Sequence, residues 1–547
     1  MKTVFKFLGI ITIAALIGFT VTSCDDGKTG DHDNNIVQEF TVTAGDFQSM
    51  IESIKTKPGV YVINLTGDLI DFPGIDLDTA GVSITVKGTG NNKITLKHEE
   101  IDDPLPLFKI SAGKLILEDI NLTASDTTYG DYGLLQIIGG TIEMKDGVTL
   151  INKYNETSYR SGVLLSGGTF IMSGGIITEC TTGILTTDAN GASIIISGGE
   201  ISNNKENGFL FWESVNSELT ISGGEITGND CAIDIYGDEN NVVISGGTIN
   251  RNLHGIIING TKIIITLSGG EICNNERNGI LFWESVNSEL TITGGKINSN
   301  EYNGVQICNI DPNYTGNIVT LKDGQINGNG HQGILIAGKE NSAIIEGGSI
   351  SDNERFGIRV ETENVLTIKG GQIKDNKYNG IHLDGNGIVV DIEDGKISGN
   401  KWNGIQIDGV KNIITVSGGE ISGNKDNGII LWESESCELI ISGGQINRNE
   451  HQGIGINGTG HVVSISGGII SSNKEWGVTV AGKNTVFEKK KGSLIYGKNA
   501  GDNSNVNGAM TVNWSLNRDS NADINDEFTI KTDASGNIIN SSGNWDK

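Results

Sequence analysis

Short runs of alternating apolar and polar residues recur along most of the chain at an almost constant interval. Each unit contains a run such as LTISG, a Gly-Gly or Asp-Gly pair, one Ile, an Asn three residues after that Ile, and a second run such as GIQI. Two-residue alternation is typical of β-strands with one buried face. The second Gly of the pair occupies positions 175, 199, 224, 247, 270, 295, 324, 348, 371, 395, 419, 444 and 468. So regular a period predicts a solenoid, in which each unit buries its apolar side against its neighbours.

Each unit contains three short strands and three bends in about 24 residues, which is enough for one turn of a β-helix. Equivalent strands of successive turns then stack in parallel at about 4.8 Å, so the regular units span roughly 58 Å. We therefore predict an all-β fold, a parallel β-helix solenoid covering residues 39–500, with regular coils over residues 176–481.

An Asn stands at the same place in twelve consecutive units, and Cys180 takes that place in the first regular unit. A short amide side chain at a sharp bend tolerates left-handed geometry and can bond to the amides above and below it. We interpret the column as a structural ladder rather than as a row of ligand contacts. Its members are Asn204, Asn229, Asn252, Asn275, Asn300, Asn329, Asn353, Asn376, Asn400, Asn424, Asn449 and Asn473.

The beginning of the chain differs from the repeats. Residues 1–24 place Lys2 and Lys6 before an apolar run and end in Cys24, which predicts an export segment too short for a stable membrane span. Residues 25–38 are polar and acidic and are predicted to form a flexible tether.

The two ends of the predicted solenoid are expected to carry caps. Within residues 39–59, the N-terminal cap, we predict a short helix with Asp46 as its N-cap and with one apolar face formed by Phe47, Met50, Ile51 and Ile54. Such a helix would cover strands that are otherwise unpaired at the open end of the stack. Residues 501–547 are rich in Asn, Ser and Asp and are predicted to be an irregular C-terminal cap or a partly disordered tail.

Charge and cysteine usage narrow the functional classes. The chain has 67 acidic and 39 basic residues and a net charge of −28, which argues against nucleic acid as a partner, because phosphate binding requires Lys and Arg. Beyond Cys24, the five remaining cysteines fall in different units without CxxC spacing. They predict neither a zinc site nor a disulfide framework, and we expect most of them to be buried fillers.

The strand pattern with its Asn column resembles the right-handed parallel β-helix of the pectate-lyase-like superfamily over residues 60–500. The recurring GGEI followed by xxN is also similar to the repeats of polymorphic outer-membrane adhesins. The ending VTSC resembles a bacterial lipobox, which implies lipid attachment at Cys24 and a membrane-anchored protein at the cell surface or in the periplasm; an export segment with an incidental Cys is the alternative. Polygalacturonase signatures such as NTD, GHG and RIK are absent in matching order, so the resemblance implies the fold more than an activity.

In the strand after the Asn bend, the first and third residues are predicted to face inward and the second and fourth outward. Exposed aromatic rings on a rigid face suit stacking on sugar rings. The fourth position gives Trp212, Tyr236, Trp283 and Trp432, with outward Leu210, Ile257, Leu281 and Ile430 beside them. A second set, a column next to the Asn bend, gives Tyr302, His331, Arg355, Tyr378, Trp402 and His451. The alternatives are that the following bends bury the first set and that the second set only shields the Asn bend.

A charged group lies at the same outward positions. Glu361, Asp384 and Asp408 fall in consecutive units, and Asp391 is predicted to face outward on the following strand. Carboxylates about 5 Å apart are near the separation used by retaining glycosidases, and they also suit Ca²⁺. A solvated acidic face is the remaining alternative. Arg359, His382 and Gln406 are predicted to stand alongside the three carboxylates.

The sequence favours a lipid-anchored, exported protein that binds glycans or a host or partner surface through a repetitive face, with no cofactor other than possible Ca²⁺. An alternative is a polysaccharide lyase or glycoside hydrolase acting on acidic polysaccharide, with Asp384 or Asp408 as acid and base and with Arg359 and His382 positioning the sugar. A purely structural surface protein is a third possibility. Residues 197–226 and 268–297 agree at 24 of 30 positions, and copied features suit multivalent binding.

Overall fold

A computed structural model describes residues 37–89, 92–96, 106–124, 132–153, 159–308, 313–496, 514–515, 521–522, 525 and 527–543. The described strands form three parallel ladders, and each complete coil contributes one strand to each ladder. About 18 coils follow one another at about 24 residues per coil, which confirms the predicted all-β parallel solenoid. The predicted export segment with Cys24, residues 25–36 of the tether, and residues 497–513 lie outside the described residues.

The first ladder holds the strand that precedes the Gly-Gly bend, and the second holds the strand that follows it. Four strands continue through that bend and belong to both ladders: Glu289–Asn298, Ile318–Asn327, Val365–Lys374 and Val389–Ser398. The other strands of the first ladder are Val37–Thr43, Gly59–Thr66, Val82–Lys87, Lys114–Glu118, Thr141–Met144, Thr169–Met172, Ser193–Ile196, Glu218–Ile221, Asn241–Ile244, Ile264–Leu267, Ser342–Ile345, Ile413–Val416, Glu438–Ile441, Val462–Ile465 and Val486–Lys489. The other strands of the second ladder are Leu69–Phe72, Lys93–Leu96, Asn121–Ala124, Thr149–Ile151, Ile176–Thr178, Glu200–Ser202, Glu225–Thr227, Thr248–Asn250, Glu271–Cys273, Ser349–Ser351, Glu420–Ser422, Gln445–Asn447, Ile469–Ser471 and Leu494–Tyr496.

The third ladder follows the Asn bend. Its strands are Ile75–Leu77, Phe108–Ile110, Tyr132–Ile137, Arg160–Leu165, Thr182–Thr187, Asn207–Val215, Cys231–Asp238, His254–Asn259, Ile280–Phe282, Val305–Ile307, Ile334–Ile336, Ile358–Glu361, Ile381–Asp384, Ile405–Val410, Ile429–Glu435, Ile454–Ile456 and Val478–Val480. The core lies between the three ladders, where aliphatic side chains stack coil on coil. In the strand Ile381–Asp384, for example, Ile381 and Leu383 are fully buried, as the alternation predicts.

Glycine is required at the Gly-Gly bend for two reasons. The second Gly has a positive φ in all thirteen units, for example 78° at Gly419. A Cβ built on Gly419 would lie 2.8 Å from the carbonyl oxygen of Gly395 in the coil below. Any side chain at this place would therefore strain the backbone and separate the coils.

The predicted ladder of Asn side chains is confirmed. The backbone N and Nδ2 of Asn376, for example, donate to Oδ1 of Asn400 at 3.1 and 3.0 Å, and the same pairing repeats along the column. Cys180 begins the ladder, because its backbone N donates to Oδ1 of Asn204 at 3.1 Å. The left-handed residue, however, is not the ladder Asn but the residue before it, such as Asp375 with φ 56°. That preceding residue makes the sharp turn, so the Asn side chain is free to point inward and align with its neighbours.

The N-terminal end carries the predicted helix, α1, over Ala44–Ile54. Phe47, Ile51 and Ile54 are buried, as their spacing predicts. The prediction of Asp46 as N-cap is wrong, since Thr43 holds that position and its hydroxyl donates to Oδ2 of Asp46 at 2.7 Å. Helix α1 is preceded by the strand Val37–Thr43, which includes the last two residues of the predicted tether. Among the described residues, no helix is long and apolar enough to cross a membrane.

At the C-terminal end the chain reverses direction against the last coil. Four strands pair antiparallel, either with the final strands of the three ladders or with one another. They are Trp514–Ser515, Asn521–Ala522, Phe528–Thr532 and Ile538–Gly543. They cover edges that another parallel strand would otherwise extend.

Candidate functional site

The predicted site residues, Asp391 apart, lie on or beside the outward face of the third ladder. We define three rows by strand register: the middle row contains the residues in register with His382, the outer row those in register with Asp384, and the bend row is the column next to the Asn bend. Strand pairing places Arg359, His382 and Gln406 in register in the middle row. The same pairings place Glu361, Asp384 and Asp408 in register in the outer row.

The aromatic side chains of the outer row are exposed. Trp212, Tyr236, Trp283 and Trp432 are 41–51% exposed, so the bends after these strands do not bury them. The rings of Trp212 and Tyr236 stack with centroids 5.0 Å apart and an interplanar angle of 16°. Their planar faces, at one-coil spacing, form a rigid aromatic surface.

The apolar side chains expected beside these rings behave differently. Leu210, Leu281 and Ile430 point outward in the middle row but are only 5–6% exposed, and Ile257 is half-buried. They face outward, as predicted, but they add little to the exposed surface. They therefore form the buried base of this surface.

The bend row forms one continuous column. The backbone N of His331 donates to the carbonyl of Tyr302, that of Arg355 to His331, and that of Tyr378 to Arg355. The column then continues through Trp402, and further to Asp426, which the sequence analysis did not include, and His451. Ring centroids are 4.8 Å apart for Tyr302 and His331, and 4.9 Å apart for Tyr378 and Trp402. Tyr302, Tyr378 and Trp402 are 38–50% exposed, as a stacking track requires.

A groove of about 940 Å³ separates the bend row from the outer row near the C-terminal end of the third ladder. Trp402 stands at the bend-row side of the groove and Trp432 at the outer-row side. Gln406, Ile430 and Thr479 of the middle row line the groove between them. The two rings that were predicted as separate sites thus face a common groove.

Amide side chains form a second column beneath the bend row. This amide column was not predicted from the sequence. The backbone N of Asn403 donates to Oδ1 of Asn379, and that of Asn427 to Oδ1 of Asn403, both at 3.0 Å. The backbone N of Gln452 continues the column to Oδ1 of Asn427 at 3.2 Å. Asn403, Asn427 and Gln452 all line the groove. The recurring Asn-Gly pair was the available signal.

The charged residues form paired contacts. Nη2 of Arg359 lies 2.6 Å from Oδ2 of Asp384 and 3.1 Å from Oε1 of Glu361. Burial raises the pKa of Glu361, although the guanidinium of Arg359 opposes that rise. The arrangement gives a carboxyl that protonates more readily than usual beside a second carboxylate.

His382 is buried, with 9% of its surface exposed, although its position is outward. The ring of Phe356 covers it in a stack with centroids 4.5 Å apart and an interplanar angle of 6°. Nδ2 of Asn379 lies 3.2 Å from Nδ1 of His382, so Nδ1 is the acceptor of this hydrogen bond. On the other side of the ring, Nε2 of His382 faces Oδ2 of Asp408 at 3.7 Å. Burial lowers the pKa of His382, and the carboxylate of Asp408 partly offsets this effect.

Asp391 does not join the carboxylates of the outer row. It lies in the first ladder, in register with Thr367 and Thr415. Within the part of the chain that the structure describes, no group of three or more His, Cys, Asp or Glu side chains is arranged to hold a metal ion. Arg359 instead occupies the space between two of the three Ca²⁺ candidates, Glu361 and Asp384.

A smaller depression of about 340 Å³ lies beside Tyr236 and is lined by Glu213, Asp238 and Glu284. The nearby carboxyl of Asp234 is in the middle row, and burial raises its pKa to about 6. Nδ2 of Asn259 donates to Oδ1 of Asp234 at 3.0 Å, which partly opposes the rise.

The five cysteines within the described residues have a packing role. Cys180, Cys231, Cys273 and Cys437 are buried, Cys308 is half-buried, and all five are free thiols. Burial raises the pKa of the four buried thiols, Cys180 and Cys273 to about 12 and 11. They are packed as fillers, as predicted, and protonated thiols are poor nucleophiles.

Comparisons with known proteins bear on the fold. A family model described as a right handed beta helix region matches residues 254–417. No curated protein sequence matches the chain. Among solved structures, a mutant of the periplasmic alginate epimerase AlgG is similar over 66% of this chain and 76% of its own, at 15% sequence identity and a TM-score of 0.26. Similarity to adhesins and to lipoproteins stays a prediction. The chain contains a right-handed parallel β-helix region, as the strand pattern and the Asn column predicted.

Proposed function

We propose that this protein binds glycan chains along the outward face of the third ladder. The groove between Trp402 and Trp432 carries the proposal, because it combines two exposed indole rings with amide side chains in one depression. Carbohydrates present apolar C–H faces to aromatic rings and hydroxyl groups to polar side chains, so their sites need both kinds of contact.

The regularity of the solenoid supports an extended ligand. The groove runs across four coils, from Trp402 to Thr479, which is about 14 Å at the strand spacing. The bend row continues from it in the other direction, with Trp402, Tyr378 and Tyr302 exposed along the same side. A chain lying along the solenoid axis would therefore meet further rings, and several weak contacts on one chain raise its apparent affinity.

The setting of the protein follows from residues 1–24, which lie outside the described residues. An export segment that ends in VTSC favours lipid attachment at Cys24, so the glycan-binding face would be held at a membrane surface outside the cytoplasm.

The test is binding of the full-length protein to a panel of polysaccharides and to cell surfaces, by titration calorimetry and by array. We expect Trp402→Ala and Trp432→Ala each to weaken glycan binding, because each removes a stacking face, while Trp283→Ala, in another coil block, weakens it less. Trp283→Ala is the matched control, since it removes the same Trp-Glu-Ser indole outside the groove. Absence of binding across the panel would refute the proposal.

A polysaccharide lyase or glycoside hydrolase is the second candidate function. The observation that favours it is the raised pKa of Glu361 in register with Asp384, since a carboxyl that protonates readily beside a second carboxyl suits acid–base work on a glycosidic bond. Arg359 and His382 lie beside these carboxylates in the middle row. Assays for new reducing ends and for unsaturated products on uronate polymers test this activity. Activity that is unchanged in Asp384→Asn and Asp408→Asn would exclude these residues.

A further inference from the structure

One residue of the middle row beside the groove is a glycine, so the row has no side chain at that place. Gly455 pairs in register with Ile430 on one side and Thr479 on the other. Its φ is not among the positive values of this chain, so the backbone conformation does not call for glycine. A glycine inside a strand with ordinary geometry marks a place where another group approaches closely.

The group that approaches Gly455 is the amide of Gln452. A Cβ built on Gly455 would lie 2.7 Å from Oε1 of Gln452 and 3.4 Å from Cγ1 of Ile430. The hydroxyl of Thr479 donates to the same Oε1 at 2.6 Å, which fixes the amide across the floor of the groove. Nε2 of that amide makes no hydrogen bond to the described residues, and it is not enclosed by them. It is therefore open to the groove and can donate to a ligand oxygen in place of water.

The charge of the groove restricts that ligand. None of the lining residues, all within the described range 313–496, is Lys or Arg, whereas Asp426 and Glu433 contribute two carboxylates. Nδ1 of His451 lies 3.4 Å from Oδ1 of Asp426, so this imidazole faces a carboxylate of the protein itself. An anionic sugar would meet repulsion without a compensating cation, while carboxylates accept hydrogen bonds from sugar hydroxyls.

We infer that the groove takes an uncharged, hydroxyl-rich glycan and that Gly455 and Gln452 form its central subsite. Nε2 of Gln452 donates to a ligand oxygen, the carboxylates of Asp426 and Glu433 accept from hydroxyls, and the indoles of Trp402 and Trp432 cover the ring faces. Gly455 is a positioning residue, because its missing side chain lets the Gln452 amide lie in the floor. This assignment rests on the proposed function and adds to it the class of sugar.

The experiment measures binding of the full-length protein to uncharged oligomers of glucose, mannose, galactose and N-acetylglucosamine, against uronic-acid oligomers of equal length. We expect the uncharged class to bind and its affinity to stay the same between low and high salt, because no ion pair is formed. Gly455→Val pushes the Gln452 amide out of the floor, and Gln452→Leu removes the donor at similar size. Each should lower affinity about tenfold or more. Leu335→Val, in the same row five coils away, is the control and should change nothing.

The outcomes separate the two levels of the proposal. Tighter binding of uronic-acid oligomers, or uncharged binding that falls with salt, overturns the assignment of the sugar class. Full affinity in Gly455→Val and Gln452→Leu, together with a loss in Trp432→Ala, overturns the subsite but leaves glycan binding standing. No binding to any oligomer overturns both. If Gly455→Val shows an altered circular dichroism spectrum, Gly455→Ala and Gln452→Leu decide, because the Ala methyl meets only the movable end of Gln452 at short range.

Discussion

Replacing one Asn in the middle of the ladder tests how much these side-chain bonds hold the coils together. Asn376 is fully buried, and its Oδ1 accepts from the backbone N and from Nδ2 of Asn353, at 3.1 and 2.9 Å. Asn376→Ala leaves the backbone N–H of Asn353 without an acceptor, whereas Nδ2 of Asn353 loses one of its two acceptors and keeps the carbonyl of Ile326 at 3.3 Å. An orphaned buried donor costs about 1–3 kcal/mol and a lost hydrogen bond about 0.5–1.5 kcal/mol, so the two effects together cost about 1.5–4.5 kcal/mol. The loss falls on the contact between two particular coils.

Amide hydrogen exchange is the suitable assay, because a solenoid can open locally and a single unfolding transition would average over many coils. We expect the backbone amide of Asn353 to exchange about tenfold faster or more in Asn376→Ala, since each 1.4 kcal/mol corresponds to about tenfold. The control is Lys377→Ala at the next residue, whose exposed ammonium lies 2.6 Å from Glu354. An exposed ion pair contributes at most about 1 kcal/mol.

The reasoning is refuted if Asn353 exchanges at the same rate in Asn376→Ala as in the Lys377→Ala control. That result would mean that main-chain pairing and the aliphatic core alone hold the coils in register, and that the ladder has no stabilising role.

Two further predictions concern pH. Burial raises the pKa of Asp234 to about 6, so the folded state binds this proton more tightly than the unfolded state, and stability is lost as pH rises from about 4 through about 6. Asp234→Asn should therefore stabilise the protein at pH 7, by at most about 3 kcal/mol. Denaturant titrations at about pH 4 and pH 7 measure this effect, and Asp238→Asn on the exposed rim is the control that should not show it. Burial lowers the pKa of His461, whose Nδ1 accepts from the backbone N of Cys437 at 3.3 Å. The unfolded state therefore takes up the proton first, and stability is lost as pH falls below about 6.5. His461→Asn should remove this loss in melting curves at about pH 5.5 and 7.5, and an unchanged pH dependence would exclude His461 as its source.

The fold could be predicted from the sequence because each structural position recurs in every coil. The Gly of the bend, the inward Ile and the ladder Asn return at one interval, so errors at one unit are corrected by the others. The left-handed residue before the Asn was missed because it has no common side chain: Asp375 takes that place in one coil, while Gly399 and Gly423 take it in the next two. The helix N-cap was misplaced by one turn because Thr43 and Asp46 are both good capping residues, and only the path of the preceding strand decides between them.

The groove could be predicted only in part. Trp402 and Trp432 stood out as outward aromatic residues, but they belong to different rows and to different coils. Beside them the middle row passes through Gly455, between Ile430 and Thr479, whose contribution is the absence of a side chain. Gln452 was not singled out, because a single Gln gives no sign of an amide that is fixed on one side and free on the other. Repetition identifies the scaffold, whereas the proposed subsite depends on Gly455, where the middle row has no side chain.

The ladders have a consequence for how this protein can change in length. Every ladder bond joins a residue to its equivalent one coil away, so a block of whole coils inserted anywhere meets the same donors and acceptors at both of its ends. The near-identity of residues 197–226 and 268–297 is what such an insertion leaves behind. An insertion of a single residue at the Asn bend would instead shift one amide out of line with all the others. The molecule therefore gains or loses surface in steps of one coil, and each step adds a full set of outward positions without altering those already present.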